Sequence, residues 1–266
     1  MNNLKNLLFG AFLLPFLFQC SAPGGGFNPL FSIEDDKALG AQLEAEIASN
    51  PQQYPILDRN QYASAYGYLD RMRDEILASG KVVHAKNFDW NLYIIHDDET
   101  LNAFCAPGGY IYVYTGLIKY LDNASSLAGV MGHEMAHADE RHSVNQMSKM
   151  YGVEILTQVA LGENQSQTVE ISKALVGLKF SRSDETEADT RSVQYLCHTK
   201  YQNDGTGNFF EKMAAAGGEQ PPEFMSTHPS HDNRIENINT KAAEQTGCKA
   251  KMSQQEEDQG YQAFKR

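Results

Sequence analysis

The first regular pattern of hydrophobic and polar positions in this chain is that of an amphipathic helix. Between Ile33 and Ala48, apolar residues recur every three or four positions, acidic residues fill the first turn, and Ser32 stands where a helix cap is expected. A second helix is predicted over residues 57–78, and Gly80 follows its end. The first part of the domain is therefore predicted to be helical.

The pattern changes between residues 88 and 114. Residues 90–95 and 110–114 are rich in aromatic and β-branched side chains, and Pro107, Gly108 and Gly109 stand between them. Short runs of this composition, separated by turn residues, are typical of β-strands. They predict a small β-sheet inside a mainly helical protein.

Helical spacing returns after the strands. Asn123 and Ser125 precede an apolar helix, and further helices are predicted over residues 143–180 with an interruption at 162–167, from Ser183 or Asp184 to about His198, and over 232–243. Residues 217–229 read as a loop. The predicted fold class is α+β, with one domain over residues 32–248.

The N-terminal segment has the layout of a secretory signal peptide. Lys5 precedes an apolar run over residues 7–18, which is too short to cross a bilayer. Residues 17–20 resemble the lipobox of bacterial lipoproteins, although Gln19 stands where that motif has a small residue. We expect lipidation of Cys20 and a periplasmic protein whose only membrane attachment is this lipid, with the outer membrane favoured. The alternative is secretion after ordinary cleavage.

The segments that flank the domain and the cysteines give further expectations. Residues 21–31, with three consecutive glycines, predict a flexible tether, and the charged residues 249–266 predict a disordered tail. Apart from Cys20, the chain contains Cys105, Cys197 and Cys248, so one disulfide and one free thiol is the simplest arrangement. A Cys197 to Cys248 bond would tie the C-terminal segment to the domain, but the sequence leaves the pairing open.

Charge argues against a nucleic-acid partner. The formal net charge is −12 and the isoelectric point is about 5.1. An acidic protein without a local cluster of Lys and Arg repels a phosphate backbone.

Residues 133–137 supply half of a metal site. On a helix, His133 and His137 lie one turn apart on the same face, so both can present ring nitrogens to one metal ion. Glu134 follows the first histidine and is positioned to take a proton from an attacking water molecule. The alternative is a surface helix with two solvated histidines, but this helix is strongly apolar, and Gly129 and Gly132 indicate close packing. A third ligand is expected from the acidic residues at 184–189.

Several segments in the same order resemble one zinc peptidase family, which includes HtpX, the CAAX prenyl endopeptidases and the periplasmic β-barrel assembly-enhancing protease. The segments are residues 102–109, 132–137, 141–142, 181–189 and 227–229, followed by Arg234. This resemblance implies a zincin-type peptidase domain. His231 is a weaker candidate than His228 for a role in the site. The other histidines, His84, His96, His142 and His198, are interpreted as structural or solvated residues.

The resemblance also implies roles for residues of the site. It implies one Zn²⁺ per chain, with Glu185 as the third ligand, and Glu187 is the competing acidic residue. Asp189 would hold a ligand histidine in its tautomer. His228 and Arg234 would donate hydrogen bonds to the oxyanion that forms during hydrolysis.

The expected function is therefore zinc-dependent cleavage of peptide bonds. The resemblance implies unfolded or misfolded envelope or outer-membrane proteins as substrates. An extended substrate can bind as an added strand along the edge of the predicted sheet, because main-chain pairing does not require a particular sequence. One alternative is a zinc-stabilised periplasmic chaperone or assembly factor with little proteolysis. Another is a zinc amidase that acts on peptidoglycan.

Overall fold

Helices form most of the protein, which is described by a computed structural model over residues 31–216, 223–229 and 233–265. The helices are α1 (Ile33–Ala48), α2 (Ala63–Leu77), α3 (Thr115–Tyr120), α4 (Ala124–Asp139), α5 (His142–Tyr151), α6 (Val153–Ala160), α7 (Gln165–Val176), α8 (Arg182–Cys197), α9 (Gly205–Ala216), α10 (Glu223–Thr227), α11 (Arg234–Glu244) and α12 (Gln254–Phe264). In the described part of the chain, no helix is both long and apolar enough to cross a membrane.

The strands form one small mixed sheet. They are β1 (Leu92–Ile95), β2 (Ala103–Ala106) and β3 (Tyr110–Tyr114), in the spatial order β1, β3, β2. Strand β3 pairs in parallel with β1 and antiparallel with β2. Gly108 and Gly109 connect β2 to β3 with φ of 75° and 87°, which glycine adopts without strain. The predicted α+β fold with a small sheet is confirmed.

The sheet separates two hydrophobic clusters because alternate side chains of a strand point to opposite faces. Ala103 and Ile111 belong to the cluster that contains α4 and α8, whereas Phe104 and Tyr112 pack against α1 and α5–α7. Strand β2 lies against α4. The sheet thus positions one strand directly beside α4, the helix that carries the HExxH motif of residues 133–137.

Helix α4 is enclosed on all sides, since all 16 of its residues are buried. At Gly129 a Cβ atom would lie 2.1 Å from the backbone nitrogen of Thr206, and at Gly132 it would lie 2.8 Å from Oγ of Ser192. These glycines let α9 and α8 approach the helix closely, as the sequence predicts. The contact with α8 brings the two halves of the expected metal site together.

Several element boundaries differ from the sequence-based expectation. Helix α2 begins at Ala63, and the region 143–180 forms three helices, with Gly152 at a φ of 84° between the first two. Helix α8 is capped by Ser181, whose side chain accepts a hydrogen bond from the backbone of Asp184. Helix α9 was not predicted, because glycines in its first turn have low helix propensity. The packing of α9 against α4 outweighs this low helix propensity.

The C-terminal segment forms helix α12, where the sequence predicts a disordered tail. Helix α12 buries Glu257 and Tyr261 against the domain. Oγ of Ser125 donates to Glu257 at 2.7 Å, and the Tyr261 hydroxyl donates to the carbonyl of Ile118 at 2.6 Å. Composition alone suggested a solvated tail, whereas specific buried hydrogen bonds hold this one.

The structure also bears on the tether and the cysteines. Phe31, the last residue of the predicted tether, is buried, and the predicted signal peptide with Cys20 lies outside the described residues. Cys197 and Cys248 form a disulfide, and Cys105 is a buried free thiol. The disulfide fixes the start of the C-terminal segment to the end of α8.

Candidate active site

The two histidines of the HExxH motif face each other across one helical turn of α4. Nε2 of His133 lies 3.1 Å from Nε2 of His137, and both side chains are fully buried. Two imidazole nitrogens at this separation, directed to the same point, are suited to binding one metal ion.

Glu185, in the first turn of α8, completes a three-donor cluster. Its two carboxylate oxygens lie 3.5 Å from Nε2 of His133 and 3.5 Å from Nε2 of His137. Zinc bonds of about 2.0–2.1 Å in a tetrahedral site place ligand atoms about 3.3 Å apart. The distances of 3.1, 3.5 and 3.5 Å therefore fit a zinc ion held by these residues.

Glu187 points away from this cluster. Its side chain is 34% exposed and its Oε2 lies 3.4 Å from Nε2 of His142. Residues two positions apart on a helix project to different sides, so only one of Glu185 and Glu187 can face α4. The structure places Glu185 there.

Asp189 lies one turn after Glu185 and contacts the other ring nitrogen of a predicted ligand. Its Oδ1 is 2.9 Å from Nδ1 of His133. A carboxylate in this position keeps the proton on Nδ1 and leaves Nε2 free to bind a metal.

Arg234 contacts two carboxylates of the site. Its Nε and Nη2 donate to the two oxygens of Asp189 at 2.7 and 2.8 Å, and Nη2 also lies 2.8 Å from Oε2 of Glu185. Nη1 donates to the carbonyl of His228 at 3.2 Å. Because all three guanidinium nitrogens are engaged by the protein, this placement favours a role in holding two carboxylates over the expected contact with an oxyanion.

His228 lies at the centre of the site. Its Nδ1 is 3.0 Å from Oε1 of Glu185 and 3.3 Å from Nε2 of His133, and its Nε2 is 3.3 Å from Oε1 of Glu134. The ring stacks on Phe224 with 4.3 Å between the ring centres. Donor atoms of His133, His137, Glu185 and His228 all lie within 4.8 Å of one another. His228 is therefore within reach of both the metal position and the general base.

Glu134 is buried beside the donor cluster. It lines a cavity of about 10 Å³, together with residues of β2, Phe180 and His228. A space of this size holds about one water molecule. The Glu134 carboxylate thus lies beside a space that can hold an attacking water.

Burial and charge adjust the proton affinities in the cluster. Burial alone would lower the pKa of His133, but its hydrogen bonds to Asp189 and Glu185 outweigh this effect and raise that pKa to about 9. Burial raises the pKa of Glu134. Burial also acts to raise the pKa of Asp189, but the hydrogen bond to His133 and the pairing with Arg234 hold it below its usual value. Asp189 is therefore a stable carboxylate, whereas Glu134 has the increased proton affinity of a general base.

His142 is a residue of the site that sequence reasoning missed. It was interpreted as structural or solvated, but it is buried, and its Nδ1 lies 3.0 Å from Nδ1 of His137. Five positions do not place two residues on one helix face, so periodicity gives no signal for this contact. The contact arises because Arg141 adopts a left-handed conformation, with φ of 60°, and turns the chain back between α4 and α5.

Comparison with known proteins agrees with this geometry. Residues 64–242, which include the whole cluster, match the model of peptidase family M48. The chain belongs to peptidase family M48. The resemblance inferred from the sequence is thus confirmed, and residues 64–242 form a metallopeptidase domain.

Similar proteins carry peptidase names. The chain is 27% identical to a β-barrel assembly-enhancing protease of Yersinia pestis over 82% of this chain and 46% of that protein. It is 31% identical to the mitochondrial metalloendopeptidase OMA1 of Schizosaccharomyces pombe over 80% of this chain and 62% of that protein. It is 27% identical to the metalloprotease YcaL of Escherichia coli over 79% of this chain and 80% of that protein. The chain spans about half the length of the first of these relatives.

Proposed function

We propose that this protein is a zinc-dependent endopeptidase. The observation that carries the proposal is the buried cluster of His133, His137 and Glu185, whose donor atoms are spaced as the ligands of one tetrahedral metal ion, with Glu134 beside it. Membership of a metallopeptidase family supports it. One zinc ion per chain is the proposed cofactor.

Each side chain of the site has its own role in the proposed hydrolysis. When bound, zinc supplies a Lewis acid that polarises the scissile carbonyl and makes a water molecule more acidic. Glu134 accepts the proton of the attacking water and passes it to the leaving amine. Asp189 fixes the tautomer of His133, and Arg234 holds Asp189 and Glu185 in place. His228 stands where its imidazole can donate a hydrogen bond to the developing oxyanion.

The sheet offers a binding edge for an extended substrate. Strand β2 is an outer strand, and among the described residues no strand pairs with its outer side. Main-chain pairing along such an edge holds a peptide without requiring a particular sequence. All four residues of β2 are buried, and Leu178 and Phe180 line the same cavity as Glu134. We expect that a substrate strand pairs with this edge only after surrounding side chains move.

The proposed substrates are unfolded or misfolded polypeptides of the bacterial envelope, including outer-membrane proteins. The name of the Yersinia relative connects that protein with β-barrel assembly. Binding through backbone hydrogen bonds suits a quality-control enzyme, because unfolded chains expose their backbones whereas folded proteins do not.

A comparison of substrates separates this proposal from its alternatives. We expect the purified protein to cleave unfolded casein, to leave a tightly folded protein intact, and to lose cleavage when a zinc chelator is added. Suppression of aggregation without any cleavage would instead support the chaperone. Release of muropeptides from peptidoglycan without proteolysis would support the amidase.

We also propose that the protein is periplasmic and anchored by a lipid on Cys20. The apolar segment and the lipobox-like residues before Cys20 support this location. Cells that express the protein and are fed a clickable fatty acid should label it, and Cys20→Ser should abolish the label. A protein that is exported with no label dependent on Cys20 would contradict the anchor and leave secretion as the alternative.

A further inference from the structure

The two predicted histidine ligands contact different residues through their Nδ1 atoms. Nδ1 of His133 faces the carboxylate of Asp189, whereas Nδ1 of His137 faces Nδ1 of His142 at 3.0 Å. The far nitrogen of His142, Nε2, lies 3.4 Å from Oε2 of Glu187 and 4.0 Å from Oδ1 of Asp184. A chain of contacts therefore runs from the metal position through two imidazoles to carboxylates at the edge of the protein.

Proton counting fixes the direction of these hydrogen bonds. Only one proton can lie between two ring nitrogens that face each other at this distance. If His137 binds a metal through Nε2, its own proton is on Nδ1, so that proton is the one shared with His142. Nδ1 of His142 must then be an acceptor, and the proton of His142 is on Nε2, directed to Glu187.

We propose that His142 is a positioning residue of the metal site. Its neutral imidazole accepts the Nδ1 hydrogen of His137 and so holds His137 in the tautomer and orientation that present Nε2 to the metal. Glu187 accepts the hydrogen of His142 and thereby sets the tautomer of His142 in turn. This inference rests on the proposed zinc site.

The surroundings of His142 keep it in this position. It is the first residue of α5 and follows Arg141, whose guanidinium pairs with Asp36 of α1 at 2.7 and 2.9 Å. Phe180 stacks on the ring of His137 with 3.8 Å between the ring centres, so that ring is also restrained. The chain next to His142 and the ring of His137 are therefore both restrained.

A pair of substitutions separates the hydrogen bond from packing. His142→Leu fills the space but accepts no hydrogen bond, whereas in His142→Asn the side-chain oxygen stands near the position of Nδ1 and can accept one. Loss of such a partner commonly weakens metal binding about 10–100-fold. We expect a loss of that size in zinc affinity for His142→Leu, measured by competition with a chromogenic chelator, and a much smaller loss for His142→Asn.

The tautomers of the unsubstituted protein provide a second measurement. Long-range ¹H–¹⁵N correlation spectra of the zinc-loaded protein should show His137 protonated at Nδ1 and His142 protonated at Nε2. This measurement decides the question even if His142→Leu does not fold.

The possible results distinguish this inference from the proposed function. An unsubstituted protein that binds no zinc contradicts both. If it binds zinc and cleaves casein while His142→Leu has unchanged zinc affinity, or while His142 is protonated at Nδ1, only the role of His142 is contradicted.

Discussion

Glu134→Gln should remove nearly all peptide-bond hydrolysis while zinc stays bound. The glutamine has the same shape as Glu134 but cannot accept the proton of the attacking water, whereas the three predicted ligands are unchanged. Removal of a general base commonly lowers the rate about 10²–10⁴-fold. Initial rates of casein cleavage, together with zinc content from mass spectrometry of the purified protein, measure both parts of this expectation.

The matched variant for this experiment is His133→Ala, which removes a ligand from the same helix. It should lose zinc as well as activity, so the two variants separate metal binding from proton transfer. Near-normal turnover by a zinc-loaded, folded Glu134→Gln protein would contradict the assignment of Glu134 as the general base.

Glu185→Gln should weaken both zinc binding and cleavage far more than Glu187→Gln. The carboxylate of Glu185 lies 3.5 Å from Nε2 of His133 and 3.5 Å from Nε2 of His137, and an amide is a poor replacement for a negatively charged ligand. Glu187 lies outside the donor cluster, and the glutamine of Glu187→Gln would keep an oxygen that can accept from His142. Chelator competition on the two purified variants compares their zinc affinities directly.

The two glutamates are well matched because they lie two residues apart on α8 and differ in which side of the helix they occupy. A larger loss of zinc affinity in Glu187→Gln than in Glu185→Gln would contradict the donor set. It would also remove the reason for assigning Asp189 to the contact with Nδ1 of His133, since Asp189 shares the helix face of Glu185.

Local sequence patterns predicted the elements whose determinants are local. Helix α1 begins and ends where its cap, apolar spacing and acidic first turn predict. The HExxH spacing placed His133 and His137 on one face, and the one-turn separation of Glu185 from Asp189 placed both towards α4. These placements follow from helical geometry, which depends only on positions along the chain.

Features that depend on contacts between distant residues could not be predicted from local sequence patterns. The role of Arg234 depends on the approach of α11 to α8, which determines that its nitrogens meet Asp189 and Glu185. The position of α12 depends on contacts with distant residues, such as the hydrogen bond of Glu257 with Ser125, which is 132 positions away in the chain. Such contacts are set by tertiary packing, and neither composition nor periodicity reports them.

The central claim is that one zinc ion, held by His133, His137 and Glu185, makes this domain a peptidase. The most direct measurement is a titration of the metal-stripped protein with zinc, with bound metal and casein cleavage followed in the same samples. We predict that cleavage is absent without metal and rises in proportion to bound zinc, up to about one ion per chain. Full cleavage by the metal-free protein, or saturation of the site with zinc without any cleavage, would contradict the claim.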